Sequence, residues 1–228
     1  MKKAFTLSEV LITLGIIGMV AIMTIPSFVK NYKKKVYASK ISKAYSQILY
    51  ATGAIMAEEH TKRFSLTTGG GSVCDDSGTC KVHSDYFLDT YFKMIKKDCK
   101  NTCIASKYIT PEGTDAGTIS DNFTYCSQTA NGAAICHYVK NLGSVTSTNS
   151  YEEETQNNET FIAIDTNGAE EPNITGYDLF FAKIEDNGQL SDLDTADNCN
   201  KKTVGNGAAQ YASGCLAKII LDEWKINY

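Results

Sequence analysis

Lys2-Lys3-Ala4-Phe5-Thr6-Leu7-Ser8-Glu9 runs without interruption into VLITLGIIGMVAIMTIPSFV, residues 10–29. The second stretch is twenty consecutive uncharged residues, mostly Leu, Ile, Val, Met, Ala and Gly. Wound as a helix it is long enough to cross a bilayer core of about 30 Å. The first stretch puts two lysines before the apolar run and one carboxylate, Glu9, at its entrance.

A secretory signal peptide also begins with basic residues, but it ends at a small-residue cleavage site. Here the far end of the run reads Ile25-Pro26-Ser27-Phe28-Val29, a poor site. The apolar segment is therefore expected to stay in the mature protein. Loop charge alone does not orient it, because Lys30, Lys33, Lys34 and Lys35 follow the run and outnumber the pair before it.

Residues 2–9 resemble the class III signal of type IV prepilins and type II secretion pseudopilins, in which a short basic leader ends in a small residue and a peptidase on the cytoplasmic face cuts before Phe or Met. The resemblance places the cleaved bond between Ala4 and Phe5 and makes Phe5 the N-methylated terminus. Ala4 stands where the family usually has Gly. Glu9 falls where the family keeps its intramembrane carboxylate, Gly18 where it keeps a helix-weakening glycine, and Pro26 where it keeps a proline near the end of the membrane segment. The match is close over roughly the first 30 residues and loose over the rest.

The chemistry of these residues can be read on its own terms. A carboxylate in an apolar helix costs about 2.5–3.5 kcal/mol on insertion scales, so Glu9 needs a cation or a route to water. In the mature chain the nearest cation is the Phe5 amine, its own or a neighbour's. Gly18 costs a helix about 1 kcal/mol relative to Ala, and Pro26 removes a backbone donor, which weakens the stretch between them. The resemblance implies that this stretch unwinds when subunits pack in a filament.

Beyond Pro26 a stripe of Tyr37, Ile41, Tyr45, Ile48, Thr52 and Ile55 recurs at spacings of three and four, opposite Lys33, Lys40, Lys43 and Gln47. One helix is expected from about residue 6 to residue 59, with its second half packed on a head. Candidate strands lie at 133–140, 161–165 and 177–184, the last followed by Glu185-Asp186-Asn187-Gly188, in which Asn-Gly signals a type I′ hairpin turn. The expected fold is α+β, a long N-terminal helix whose membrane-spanning first half precedes a half packed on an antiparallel sheet, with disulfide-pinned loops. This is the ladle shape of pilin-like proteins. The divisions are a leader at 1–4, a membrane and filament-core helix at 5–29, its amphipathic continuation at 30–60 and a head at 61–228.

Charge divides the same way. Residues 1–50 hold eight lysines against Glu9, a net of +7 in a chain whose total is -4, leaving -11 for the remainder. An acidic head argues against general binding of nucleic acid. All eight cysteines (Cys74, Cys80, Cys99, Cys103, Cys126, Cys136, Cys199, Cys215) lie in the head. Their even number fits disulfides in an oxidising compartment, while the lack of any CxxC pair or HxxxH set disfavours zinc. Eight cysteines allow 105 connectivities. Pairing of sequence neighbours, 74 with 80, 99 with 103, 126 with 136 and 199 with 215, is preferred because each would close a short loop. In many pilins a disulfide near the last pair fastens the C-terminal segment.

Two acidic groupings offer hard oxygen ligands suited to calcium, Asp192 with Asp194 and Asp197, and Asp165 with Asn167 and Asp178. The resemblance favours the first, since some major pseudopilins hold calcium in a C-terminal loop. Glu152, Glu153 and Glu154 read as a charged exposed loop, and Glu58, Glu59 and His60 as a solvent-facing helix end. No GxSxG, Walker A, GxGxxG or HExxH motif is present, so no enzymatic activity is expected. The resemblance implies a pilin or pseudopilin of the inner membrane with its head outside the cytoplasm. Its expected partners are other such subunits, the prepilin peptidase and an inner-membrane assembly platform. The competing reading is a membrane-tethered binding module.

Overall fold

The computed structural model describes residues 6–74, 80–82, 84–123, 125–145, 155–203 and 206–228. The helix α1 spans Leu7–Glu58 as one unbroken element of 52 residues, passing through Gly18 and Pro26. At 1.5 Å per residue it is about 78 Å long.

The head follows as short elements around one sheet. A hairpin of β1 (Ser72–Cys74) and β2 (Cys80–Val82) precedes α2 (Ser84–Tyr91), β3 (Met94–Lys96) and α3 (Lys100–Cys103). Next come a small ribbon of β4 (Tyr108–Ile109) and β5 (Asp115–Gly117), then β6 (Tyr125–Thr129), β7 (Ala134–Val145), β8 (Thr155–Asp165), β9 (Leu179–Ile184) and β10 (Leu190–Ser191). The chain finishes with α4 (Ala209–Ala212) and α5 (Cys215–Leu221). Strands β10, β9, β8, β7, β6 and β3 form a six-stranded sheet in that order, and every neighbouring pair is antiparallel. The α+β arrangement expected from the sequence is thus present.

The expected stripe is what α1 buries. Ile41, Ile48 and Ile55 are fully buried, with Tyr37, Ala38, Ala44, Ala51 and Thr52 beside them. They meet Ile162 and Ile164 of β8, Phe180, Ala182 and Ile184 of β9, and Leu216 and Ile219 of α5 in one cluster. Each Ile, Leu or Phe among them contributes about 1.5–3 kcal/mol relative to exposure. Because successive strand residues face opposite ways, Ala163, Leu179 and Phe181 point to the other side. There they join Tyr108, Phe123 and the cystines at 99–103 and 126–136 in a second cluster. The sequence suggested one apolar face over the helix. The sheet is covered on both faces, and for that reason β9 is a nearly continuous buried run rather than an alternating one.

The turn between β9 and β10 also differs from expectation. Gly188 alone is left-handed (φ 79°), and neither Asp186 nor Asn187 has the positive φ that a type I′ turn requires. Gly188 N donates to Glu185 O at 2.8 Å and Glu185 N to Gln189 O at 2.8 Å, which makes a three-residue hairpin ending in a glycine bulge. The physical reason is docking. Gly188 O accepts Thr52 Oγ1 of α1 at 2.8 Å, while the Asp186 carboxylate accepts Arg63 Nε at 2.6 Å and Ser65 N at 2.9 Å. A Cβ at Gly188 would sit 2.9 Å from Met56 Sδ.

His137 on β7 is fully buried against the Phe87 ring, and neither ring nitrogen has a hydrogen-bond partner. Burial lowers its pKa from 6.5 to about 3. Between those values the unfolded chain takes up a proton that the native fold excludes, so this contribution to stability is lost as pH falls below 6.5. His137→Phe, which removes the titrating group and keeps an aromatic ring, should gain on the wild type by about 2–3 kcal/mol between pH 7 and pH 4.5. Denaturant unfolding of both proteins at the two pH values measures this. A wild type–variant difference that does not change with pH would show that His137 titrates normally.

Candidate functional site: the exposed half of the long helix

The start of α1 is set by Thr6 and Glu9. Thr6 is the N-cap (φ -77°, ψ 150°) and its hydroxyl accepts Glu9 N at 3.3 Å. In return Glu9 Oε2 accepts Thr6 N at 2.9 Å and the Thr6 hydroxyl at 2.8 Å. This is a capping box, signalled in the sequence by the Thr-x-x-Glu spacing, and it gives the carboxylate a partner other than the cation or the water that its place in an apolar helix suggests. In the isolated chain the Glu9 carboxylate therefore satisfies the amide and the hydroxyl of the N-cap. Ala4 and Phe5 lie outside the described residues.

From Leu7 to Val29 the helix touches almost nothing. Leu11, Ile12, Leu14, Ile17, Met23 and Phe28 are all exposed, on every side of the helix. A helix that is apolar all round and uncovered belongs in lipid or against other helices. Both of its threonine hydroxyls are satisfied within the helix, Thr13 Oγ1 donating to Val10 O at 2.9 Å and Thr24 Oγ1 to Val20 O at 3.0 Å, as suits an apolar surrounding. Among the described residues this is the one helix long and apolar enough to span a membrane. Gly18 lies on it with open space where a Cβ would stand.

The lysines that follow sort into two groups. Lys30, Lys33, Lys35 and Lys43 are exposed. Lys34 instead donates to Tyr228 O at 2.8 Å and sits 5.4 Å above the Tyr177 ring, and Lys40 donates to Thr166 O at 3.1 Å. The Tyr177 hydroxyl donates to the same Tyr228 oxygen at 2.7 Å, the Tyr228 hydroxyl to Gly176 O at 2.6 Å, and Trp224 packs edge-on to Tyr45 of α1 at 5.3 Å. Residues 224–228 thus strap α1 to the head. No local signal marks this clasp, because Lys34 and Tyr228 are 194 positions apart.

At the other end of α1, Glu58 accepts the Tyr91 hydroxyl at 2.5 Å and Glu59 accepts Thr68 N at 2.9 Å, while exposed His60 turns left-handed (φ 53°) and ends the helix. The two carboxylates that read as solvent-facing are hydrogen-bonded to the head.

Three of the preferred cysteine pairings are present as disulfides: 99–103, 126–136 and 199–215. Strand pairing puts Cys74 opposite Cys80, whose side chains fall outside the described residues, as do Glu152, Glu153 and Glu154.

Asp192, Asp194 and Asp197 are set to separate tasks. Asp192 accepts Gly214 N at 2.6 Å, Ala217 N at 2.8 Å and Leu193 N at 2.6 Å, binding the first turn of α5. Burial pushes its carboxyl up in spite of these amides. Asp194 caps Thr195 N at 2.7 Å and holds Asn198 Nδ2 at 2.8 Å, and Asp197 lies exposed on the 3-10 turn Ala196–Asn198. Among the described residues no three His, Cys, Asp or Glu side chains come together as a metal-holding group.

The second grouping is drawn together. The Tyr108 hydroxyl donates to Asp165 Oδ2 at 2.5 Å, Asn167 N to Asp165 Oδ1 at 3.2 Å, and Ile174 N to Asp178 Oδ1 at 2.7 Å. Burial raises Asp165 to about 7, and burial with the nearby Asp165 charge raises Asp178 to about 8.

No protein-family model, no curated protein and no solved structure matches this chain.

Proposed function

We propose that this chain is a structural subunit, a pilin or pseudopilin, of a type IV pilus or a type II secretion pseudopilus. In this reading a prepilin peptidase removes residues 1–4, Phe5 becomes the N-methylated terminus, and the protein waits in the inner membrane with its head on the far side. An inner-membrane assembly platform then packs its helix against those of other subunits. The observation that carries the reading is the contrast along α1, buried in the head from Tyr37 to Ile55 and apolar but uncovered from Leu7 to Val29. Glu9 at the start of the uncovered half, and Gly18 and Pro26 within it, fit a helix made to meet other helices. The residues carrying the prepilin resemblance add the direction of insertion.

A membrane-tethered binding module needs the same apolar span, and in it Glu9 would serve only as the cap of α1. The test common to both is the N-terminus of protein extracted from membranes. Intact mass and N-terminal sequencing should show loss of Met1 to Ala4 and one added methyl group on Phe5. Cleavage after Pro26 would reveal a secretory signal and end the pilin reading.

A further inference from the structure

Where the apolar run of α1 ends, lysines begin at once. Lys30, Lys33, Lys34 and Lys35 follow Val29, with Asn31 and Tyr32 among them. At about 100° per residue these lysines are spread around the whole helix instead of lining one stripe, and exposed Tyr32 falls in the widest gap between them. The stretch rises only about 9 Å along the axis. It is a collar, in which Lys34 is held by Tyr228 O and the Tyr177 ring while Lys30, Lys33 and Lys35 are exposed.

Nothing on the helix neutralises that collar. From residue 10 to residue 57 α1 carries no Asp or Glu, so no collar lysine has an acid three or four positions away. Among the described residues, Lys30, Lys33 and Lys35 form no ion pair. Like charges this close repel one another, and an external anion relieves them. The shape of that anion follows from the shape of the collar. A protein partner or a nucleic-acid duplex meets one face of a helix, whereas charges on every side fit an anionic layer that the helix pierces.

Position points the same way. The polar layer of a bilayer adds about 5–7 Å to each side of its hydrocarbon core. With Val29 at the edge of that core, Lys30 to Lys35 stand about 2–9 Å beyond it. Side chains on a helix lean toward its N-terminus, which directs the long stems of Lys33 and Lys35 back to that layer. We propose that Lys30, Lys33 and Lys35 bind the phosphodiester groups of anionic phospholipids at the membrane surface, with the Tyr32 ring seated among the headgroups. The collar would set the depth of α1 and, through Lys34 with Tyr177 and Tyr228, the height of the head above the lipid. The inference rests on the membrane-spanning part of the reading above and is independent of filament assembly.

The test uses the full chain in nanodiscs of equal phosphatidylglycerol and phosphatidylcholine, with mass spectrometry of the released complex counting the lipids that stay bound. Phosphatidylglycerol should exceed phosphatidylcholine by about tenfold or more, since each lysine at an anionic surface is worth about fivefold. Lys30→Gln, Lys33→Gln and Lys35→Gln together should cut that excess by about fivefold or more. Lys43→Gln, exposed on the same helix but about 21 Å beyond Val29, should leave it unchanged. Circular dichroism establishes that each variant is folded. Inorganic phosphate at about 10 mM should not displace the lipid, because it offers no layer around the helix; displacement would make the collar a free-anion site and overturn the proposal. An inserted chain without lipid preference would overturn it, as would a preference that survives the triple substitution and so belongs to Lys2 and Lys3. Crosslinking between copies that is lost in the triple variant while the lipid preference stays would give the collar to the acidic head of a second copy, and overturn it equally. A chain that alkaline carbonate washes off the membrane would sink the spanning reading together with the proposal.

Discussion

Glu9→Ala is expected to leave insertion, folding and cleavage intact and to reduce filament assembly at least tenfold. In the isolated subunit the substitution removes half of a capping box, since Thr6 can still accept the amide of residue 9. The cost to the helix is below about 1 kcal/mol. It also removes a carboxylate from an apolar helix, which offsets that loss. In a filament the situation reverses. In the proposed assembly the Glu9 carboxylate would leave its own cap for a neighbour's Phe5 amine, and the pair would gain from low dielectric what each charge alone would lose. Glu9→Gln separates the two roles, because Gln can accept the Thr6 hydrogen bonds but carries no charge. It should fail in assembly as fully as Glu9→Ala. Crosslinking in cells and imaging of sheared fibres, at matched expression, make the measurement. Normal oligomers from both variants would refute the paired-charge mechanism and favour the tethered module.

The second large effect is expected from Cys199→Ser with Cys215→Ser. This disulfide closes a separation of 16 residues, for which chain entropy gives about 3 kcal/mol. It also fixes the start of α5, whose Leu216 and Ile219 are fully buried against α1 and the sheet, beside the amides that Asp192 holds. Gly214 there is left-handed (φ 82°) and a Cβ would lie 2.2 Å from Thr195 O, so the turn has little room to adjust. Loss of the bridge should lower unfolding free energy by about 2–4 kcal/mol and raise hydrogen exchange over residues 209–228 first. Cys99→Ser with Cys103→Ser closes a separation of only 4 and should cost less. Equal costs would show that loop closure is not the source of the stabilisation.

What could be read from the sequence was whatever local spacing controls. The stripe from Tyr37 to Ile55 and the apolar run from residue 10 to 29 needed only helical periodicity, and neighbouring cysteines needed only short loops. The strands were located but shortened. Strand β7 continues to Val145 through Asn141, Gly143 and Ser144, and β8 begins at Thr155 with Gln156 and Asn158. Asn141, Ser144, Gln156 and Asn158 have low strand propensity and are extended because each pairs with the other strand. The burial of both sheet faces was hidden for a related reason, since the loops supplying the second cover carry no periodic pattern. Asp192, Asp194 and Asp197 look alike as acids in a loop. Only the fold turns Asp192 inward onto backbone amides more than twenty positions away. Asp165 and Asp178, thirteen positions apart, are joined by a turn whose backbone closes on itself.

The strap formed by residues 224–228 has a mechanical consequence. The helix is fastened to the head at Lys34 and Tyr45 on one side and at Thr52, Glu58 and Glu59 on the other, a span of about 38 Å at helical rise. A pull applied along the free apolar end reaches the head in shear, loading the fastenings together rather than peeling them one after another. The weakest link under tension is then upstream of the strap, at Pro26, where the missing amide leaves one fewer hydrogen bond to resist extension. Under load, extension is expected there before any of the fastenings to the head gives way.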